Sequence, residues 1–294
     1  MPHPRVLLVY KRSAYLRYRL GGGSLHWLHK AAFKDYVKIL KASHWNHYGT
    51  MASVKETLKE KGLEVVEALR QDIGRDGFAD GRFGLVVVVG GDGTLLDASH
   101  WTKRVPVLGV NSDPGRSVAH YSGCEVEGFP RVLDEYGRGR LKPVSLPRLS
   151  LSLNGKTLKW PVLNDVLVAA KGPAATSRYV LRVGGKEEEQ MSSGIWISTA
   201  AGSTAASMSA GGRPLPPTRK VFQYVVREPF EGKLGPRRLL KGVLPKGKSL
   251  EIDSYMREGM LYIDGPALSV PFVIGDRLKV TLTAPALPVI GLRK

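Results

Sequence analysis

The chain reads as an α/β domain with a parallel sheet, followed by a β-rich domain, and three observations carry that reading. Strand-like and helix-like runs alternate through residues 1–120. One run, Leu85-Val-Val-Val-Val89, shows no polar–apolar alternation, which is how a strand covered on both faces of a parallel sheet reads. Beyond residue 137 short strand-like runs separated by turn residues take over. The expected division is 1–120 for the α/β domain and 121–294 for the β-rich one.

The first strand is Arg5–Tyr10, followed by Lys11, Arg12, Arg17 and Arg19 interleaved with Tyr15 and Tyr18. Gly21-Gly22-Gly23 breaks the pattern. Residues 25–42 place Leu28, Ala32, Val37 and Leu40 near one helical face, and 50–61 form a second helix with Thr50 as cap and Gly62 as stop. Strands follow at Leu63–Leu69, Leu85–Val89 and Val105–Val110, with helices at 94–102 and 125–137. The second half carries strand-like runs at Arg148–Leu153, Val162–Ala169, Tyr179–Val183, Gly194–Ser198, Val221–Val226, Ser249–Ile252, Met260–Ile263 and Leu278–Thr283. Asn154-Gly155, Gly184-Gly185 and Asp264-Gly265-Pro266 supply turns between them. Glu187-Glu188-Glu189 reads as a solvated turn.

Composition bounds the function. The 294 residues are 43% hydrophobic and 24% charged, an ordinary balance for a chain with a sizeable core. The longest aliphatic run is five residues, far short of the roughly 20 of a membrane helix. Only Val6–Val9 is apolar near the start, too little for a secretory leader. The single cysteine, Cys124, excludes an intrachain disulfide and a Cys-built zinc site and suits a reducing cytoplasm. The net charge of +18 is concentrated: residues 1–50 and 213–248 each carry +8 on a near-neutral body. Such segments fit an anionic small ligand, RNA or a solvated surface.

Three constellations could carry chemistry. Gly90-Gly91-Asp92-Gly93-Thr94 stands where the all-valine strand ends and a helix begins, the place where open α/β sheets bind ligands. Glycines let backbone N–H groups approach phosphate oxygens, and the helix N-terminus favours anions. Asp92 would repel phosphate there unless it binds a divalent metal or takes a proton from an attacking hydroxyl; the alternative is a helix cap. Asn164-Asp165 places amide donors and a carboxylate within an apolar strand, a match to ribose hydroxyls or a base edge, or else a bulge or strand-end turn. Ser198–Gly212 reads as strand, small-residue turn, short helix and glycine stop, open to a flat ligand or simply packed on the sheet. Five of seven histidines lie in residues 1–50; the i,i+3 pairs His26/His29 and His44/His47 have only Asp35 as an acidic neighbour and read as surface groups.

Gly-Gly-Asp-Gly-Thr at 90–94, Asn-Asp at 164–165, and Gly-Ser-Thr-Ala at 202–205 followed by Ser-Ala-Gly-Gly at 209–212 resemble, in that order, the NAD kinase family. Gly109–Ser117 with His120, Ser192-Ser193-Gly194 and Lys11…Tyr15…Tyr18-Arg19 resemble its mitochondrial-type branch. The resemblance covers nearly the whole chain and implies an NAD kinase/diacylglycerol kinase-like fold. It also implies ATP-dependent phosphorylation of the 2′-hydroxyl of the adenosine ribose of NAD, with Mg²⁺ or another divalent metal. In that picture Asp92 is the catalytic carboxylate. Gly91, Gly93 and Thr94 shape the phosphate turn, Asn164 and Asp165 contact the adenosine half, and Thr204, Ala205 and Ser209 line the substrate. Ser193 and Ala206 depart from many members, which bears on contacts to the nicotinamide end. The resemblance also implies a homodimer or larger homo-oligomer. A cytoplasmic enzyme acting on NAD and ATP, with no membrane and no sequence-specific nucleic acid as partner, is the expectation. The alternatives are a lipid kinase sharing the glycine turn and a basic RNA-binding protein using Tyr15, Tyr18, Arg17 and Arg19.

Overall fold

A computed structural model describes residues 5–20, 27, 30–74, 81–230 and 237–292. The chain forms two compact units, one of residues 1–144 with 288–294, the other of 145–287. The boundary therefore lies at Val144/Ser145 rather than at residue 120. The segment after 120 forms a strand and a helix that pack in the first unit, and the chain end returns to it.

In the first unit β1 (Arg5–Tyr10), β2 (Glu64–Leu69), β3 (Leu85–Gly90), β4 (Val107–Asn111) and β5 (Ser122–Glu125) form a parallel sheet in the order β2-β1-β3-β4-β5. Every residue of β3 is buried, as its unbroken valine run requires. The helices are α1 (Ala14–Leu20), α2 (Lys34–Glu60), α3 (Asp92–Ser99) and α4 (Phe129–Gly137). Val54 and Leu58 of α2 and Phe129, Val132 and Leu133 of α4 pack with Val6, Leu8, Val87, Leu108 and Val110. Leu95 of α3 approaches Gly109, which points to the other face from its neighbours Leu108 and Val110.

One correction concerns α2. The sequence suggested helices at 25–42 and 50–61, but α2 runs unbroken through 43–49, and Thr50 is a buried interior residue rather than a cap. The part of the first helix before Ala31 lies mostly outside the described residues. Gly49 faces open space, so it costs the helix only its weak propensity. The helix does stop before Gly62, which takes a left-handed φ of 68°.

The second unit is two sheets packed face to face. One holds β6 (Val144–Leu153), β7 (Lys156–Thr157), β9 (Ser177–Val183), β10 (Lys186–Ser192), β14 (Ser249–Ser254) and β17 (Arg277–Val289). The other is antiparallel in the order β13-β12-β11-β8-β15-β16. Its strands are β8 (Asp165–Ala170), β11 (Ile195–Thr199), β12 (Val221–Val226), β13 (Lys241–Pro245), β15 (Gly259–Ile263) and β16 (Leu268–Pro271). Leu149, Leu181, Ile252 and Val280 of the first meet Val166, Ile197, Phe222 and Leu261 of the second in one core. Glu187–Glu189 is not a turn: it lies in β10, an edge strand whose charges suit an unpaired edge. No helix among the described residues is long and apolar enough to cross a membrane.

Candidate functional site

The glycine turn stands at the C-terminal end of β3. A Cβ on Gly90 would lie 2.5 Å from the Thr94 hydroxyl, and one on Gly91 would lie 2.8 Å from the Ser117 hydroxyl, so neither position tolerates a side chain without movement. Gly91 is the N-cap of α3, with no side-chain cap bond. Thr94 is buried; its N–H donates to the Gly91 carbonyl at 3.0 Å and its hydroxyl has no partner among the described residues. Thr94 thus shapes the turn from beneath. Gly93 is exposed on its outer side.

Asp92 is not a helix cap. Its Oδ2 accepts the His120 N–H at 3.0 Å and its Oδ1 accepts the Tyr121 N–H at 2.9 Å. The loop after β4 is itself tied down. The Asn111 amide donates to the Ser117 carbonyl at 2.8 Å and its oxygen accepts the Asp113 N–H at 3.2 Å. Val118–His120 of this loop, with Asn111 and the residues of β5, line a cavity of about 300 Å³. One carboxylate, fixed by two backbone donors at the mouth of a parallel sheet, keeps further lone pairs for a hydroxyl or a metal. No group of three or more His, Cys, Asp or Glu among the described residues forms a metal cage. A divalent ion that arrives on phosphates needs only one or two carboxylates, and Asp92 fits that role.

In the second unit Asn164 lies in the bend that leads into β8, and Asp165 is the first residue of that strand, opposite Ser198 of β11. A carboxylate 99 positions away holds them: Asp264 Oδ1 accepts the Asn164 N–H at 2.7 Å and the Asp165 N–H at 3.0 Å, and Oδ2 accepts the Leu163 N–H at 2.9 Å. The β8–β15 register places Ile263 opposite Val166 and so brings Asp264 beside Asp165. Asp165 is 4% exposed. Burial, then the neighbouring Asp264 charge, push its carboxyl up to about 7. The Asn164 amide donates to Asp165 at 3.2 Å.

The small-residue segment packs on this turn. Thr199 accepts the Gly202 N–H at 3.0 Å and donates to the Leu163 carbonyl at 2.6 Å, and a Cβ on Gly202 would collide with the Asn164 carbonyl at 2.1 Å. Asn164, Asp165 and the 199–205 turn are therefore one constellation. Thr204 and Ser209 are exposed and Ala205 half-buried, in a 3₁₀ turn (Ala201–Thr204) and α5 (Ala206–Ser209). Neither helix is capped by a side chain. Ser203 instead accepts the Leu215 N–H at 2.8 Å from inside the fold.

Sequence reasoning missed three groups. Asp264 reads from the sequence only as a turn residue. The N–H donors of His120 and Tyr121 carry no side-chain signal. His47, read as a surface group, is 1% exposed and bonded at both ring nitrogens. His26 and His29 lie outside the described residues.

The model of the ATP-NAD kinase N-terminal domain matches residues 25–141. A probable NADH kinase of Oryza sativa subsp. japonica is 35% identical over 266 residues, 83% of this chain and 81% of that protein. An NADH kinase of Arabidopsis thaliana is 36% identical over 269 residues, 83% of either chain. An NAD kinase of Methanoculleus marisnigri is 33% identical over 236 residues, 73% of this chain and 78% of that one. Among solved structures, an NAD kinase from Archaeoglobus fulgidus in complex with ATP shares the fold, with a TM-score of 0.66 and 21% identity over 98% of this chain and 93% of that one. At 35–36% identity over 83% of its length, the chain belongs to the NAD kinase family.

Proposed function

We propose that the protein transfers the γ-phosphoryl group of ATP to the 2′-hydroxyl of the adenosine ribose of NAD or NADH. The observation that carries this reading is the Asp92 carboxylate, held by two backbone N–H groups on a glycine turn at the end of a buried parallel strand. A ribose hydroxyl is a weak nucleophile until a base takes its proton. Asp92 accepts that proton as the hydroxyl oxygen bonds to the γ-phosphorus and the bond to the ADP oxygen breaks. Gly91 and Gly93 bring backbone close to the phosphates, with Thr94 supporting the turn. Asn164 and Asp165 hold adenosine-side hydroxyls, and Thr204, Ala205 and Ser209 line the substrate. Asp92 is the residue here that would hold a divalent ion arriving on the phosphates, and such an ion would supply neutralisation of their charge.

The plant NADH kinase relatives are compatible with placement in the mitochondrial-type branch, which Gly109–Ser117 and Ser192–Gly194 resemble. The same reading has the enzyme in the cytoplasm as a homodimer or larger assembly, which light scattering on the purified protein measures. The deciding experiment incubates the protein with ATP, magnesium and either NAD or NADH and identifies the product. NADP or NADPH bearing phosphate on the adenosine ribose is the expected result. Phosphorylated diacylglycerol or sphingosine, with neither dinucleotide phosphorylated, refutes it.

A further inference from the structure

The parallel strands of the first unit end level with one another. Tyr10 of β1 lies opposite Leu69 of β2 and Val89 of β3, and Gly90 lies opposite Asn111 of β4. One step outward, Arg70, Lys11, Gly90 and Asn111 form a row along the C-terminal edge. The Arg70 N–H donates to the Tyr10 carbonyl at 2.9 Å. The Arg70 guanidinium reaches the first turn of α3: Nη1 lies 3.7 Å from where a Cβ on Gly93 would stand, and Nε pairs with Asp97 at 3.2 Å. Lys11 occupies the place between Arg70 and the glycine turn.

Lys11 is an uncomfortable cation. Its side chain is half-buried, and its ammonium is held below the ordinary lysine range by burial, then by Arg70, with Arg17 acting the same way and Asp113 opposing. Asp113 does not neutralise it: that carboxylate accepts the Asn46 amide at 3.2 Å and pairs with Arg116 at 3.5 Å. Among the described residues no carboxylate stands within ion-pair distance of Lys11.

Its backbone is nevertheless fixed. His47 of α2 donates from Nε2 to the Lys11 carbonyl at 2.8 Å, and its Nδ1 lies 3.0 Å from the Ser112 hydroxyl. Burial pulls the ring down to about 4, so it is neutral near pH 7, with Nδ1 accepting from Ser112. One imidazole thus ties the loop after β1 to the loop after β4, on either side of the glycine turn. His44 adds a bond to Ser13 at 2.7 Å, and Ser13 accepts the Leu16 N–H of α1 at 3.1 Å.

We propose that Lys11, with Arg70 beside it, binds the phosphate chain of the nucleoside triphosphate, and that His47 is the positioning residue that sets the Lys11 backbone. The proposal rests on the reading that phosphates lie at the glycine turn. An incoming polyanion supplies the negative charge that the fold withholds from Lys11, and it finds the ammonium already partly desolvated.

The test is calorimetric titration of ATP, inorganic tripolyphosphate and NAD into the wild-type protein and into Lys11→Gln and Lys11→Arg. Lys11→Gln should weaken ATP and tripolyphosphate by about tenfold or more, and NAD by less than about twofold. It should not lower Tm, because it removes an unpaired, half-buried cation. Lys11→Arg should keep ATP affinity within about threefold. For His47, the alanine variant should raise KM for ATP more than it lowers kcat, and His47→Gln, which keeps a donor and an acceptor, should restore it. Unchanged tripolyphosphate affinity in Lys11→Gln, equal weakening of ATP and NAD, or a lowered Tm would each overturn the assignment. The tripolyphosphate arm decides the role of Lys11 even if the wild-type protein forms no NADP, which would instead overturn the functional reading.

Discussion

Replacing Asp165 by asparagine should make the protein more stable at neutral pH while weakening its hold on the dinucleotide. The carboxyl is raised from 3.8 to about 7, chiefly by burial. Between those values the folded protein keeps a proton that the unfolded chain has released, so stability falls as pH rises through the window and is fully present below it. At ~1.4 kcal/mol per pH unit, ionising Asp165 costs the fold on the order of 4 kcal/mol at pH 8. Asparagine has the shape of the protonated acid and never pays that term. His47 acts in the opposite sense. Its pKa drops from 6.5 to about 4 in the fold, so its contribution grows as pH rises across that interval, by on the order of 3 kcal/mol. These two contributions therefore nearly cancel between pH 4 and 6.5 if the units unfold together. If they unfold separately, the first unit gains stability with pH while the second loses it. Urea unfolding followed by tryptophan fluorescence from pH 4 to 8.5 reads the difference between Asp165→Asn and wild type. That difference should climb by about 1 kcal/mol per pH unit and level off above 7. A difference that stays constant across the range would show that Asp165 is ionised throughout, and the reasoning would fail.

Asp92→Asn should lower kcat by ~10²–10⁴-fold, because an amide cannot take the hydroxyl proton, while NAD affinity changes little. It should also cost about 1–3 kcal/mol of stability, since Asn offers one acceptor to the two N–H groups of His120 and Tyr121; full activity at wild-type stability would remove Asp92 from the mechanism. Asp264→Ala orphans three backbone N–H groups and should destabilise by more than about 3 kcal/mol, with Asp264→Asn intermediate; a thermal melt unmoved by either variant contradicts the positioning role. Salt should raise KM for ATP or NAD more than it lowers kcat, because the segments 1–50 and 213–248 attract anions. Salt-independent KM values would leave those segments without that function.

What the sequence disclosed depended on the range of the interactions involved. The strand Leu85–Val89 was legible because burial on both faces leaves a compositional trace. The continuity of α2 was not, because its middle turns bury the polar His47 and Thr50 rather than apolar residues, and the hydrophobic period disappears there. Asp92 could be read as base, metal ligand or cap. Its actual clasp on backbone 28 and 29 positions away is a tertiary contact that no local pattern announces. Asp264 was hidden for the same reason, and its partners lie 99 to 101 positions away. Glu187–Glu189 misled because charge on an edge strand has the composition of a loop.

The closure of the first unit by residues 288–290 sets an order of events during synthesis. Val289 lies opposite Val107, the Ile290 N–H donates to the Val107 carbonyl at 2.8 Å, and Ile290 is fully buried. Gly123 has no room for a side chain because the Ile290 carbonyl would stand 2.3 Å from it. As the ribosome delivers the chain, the glycine turn and its sheet emerge before the second unit, yet a piece of their core is translated after it. The nascent first unit must wait, with an edge of β4 unfilled, while the whole second unit is made. The first unit thus matures only once the second has been made. A fragment ending at Val144 would carry the turn and Asp92 on an unfinished sheet prone to self-association.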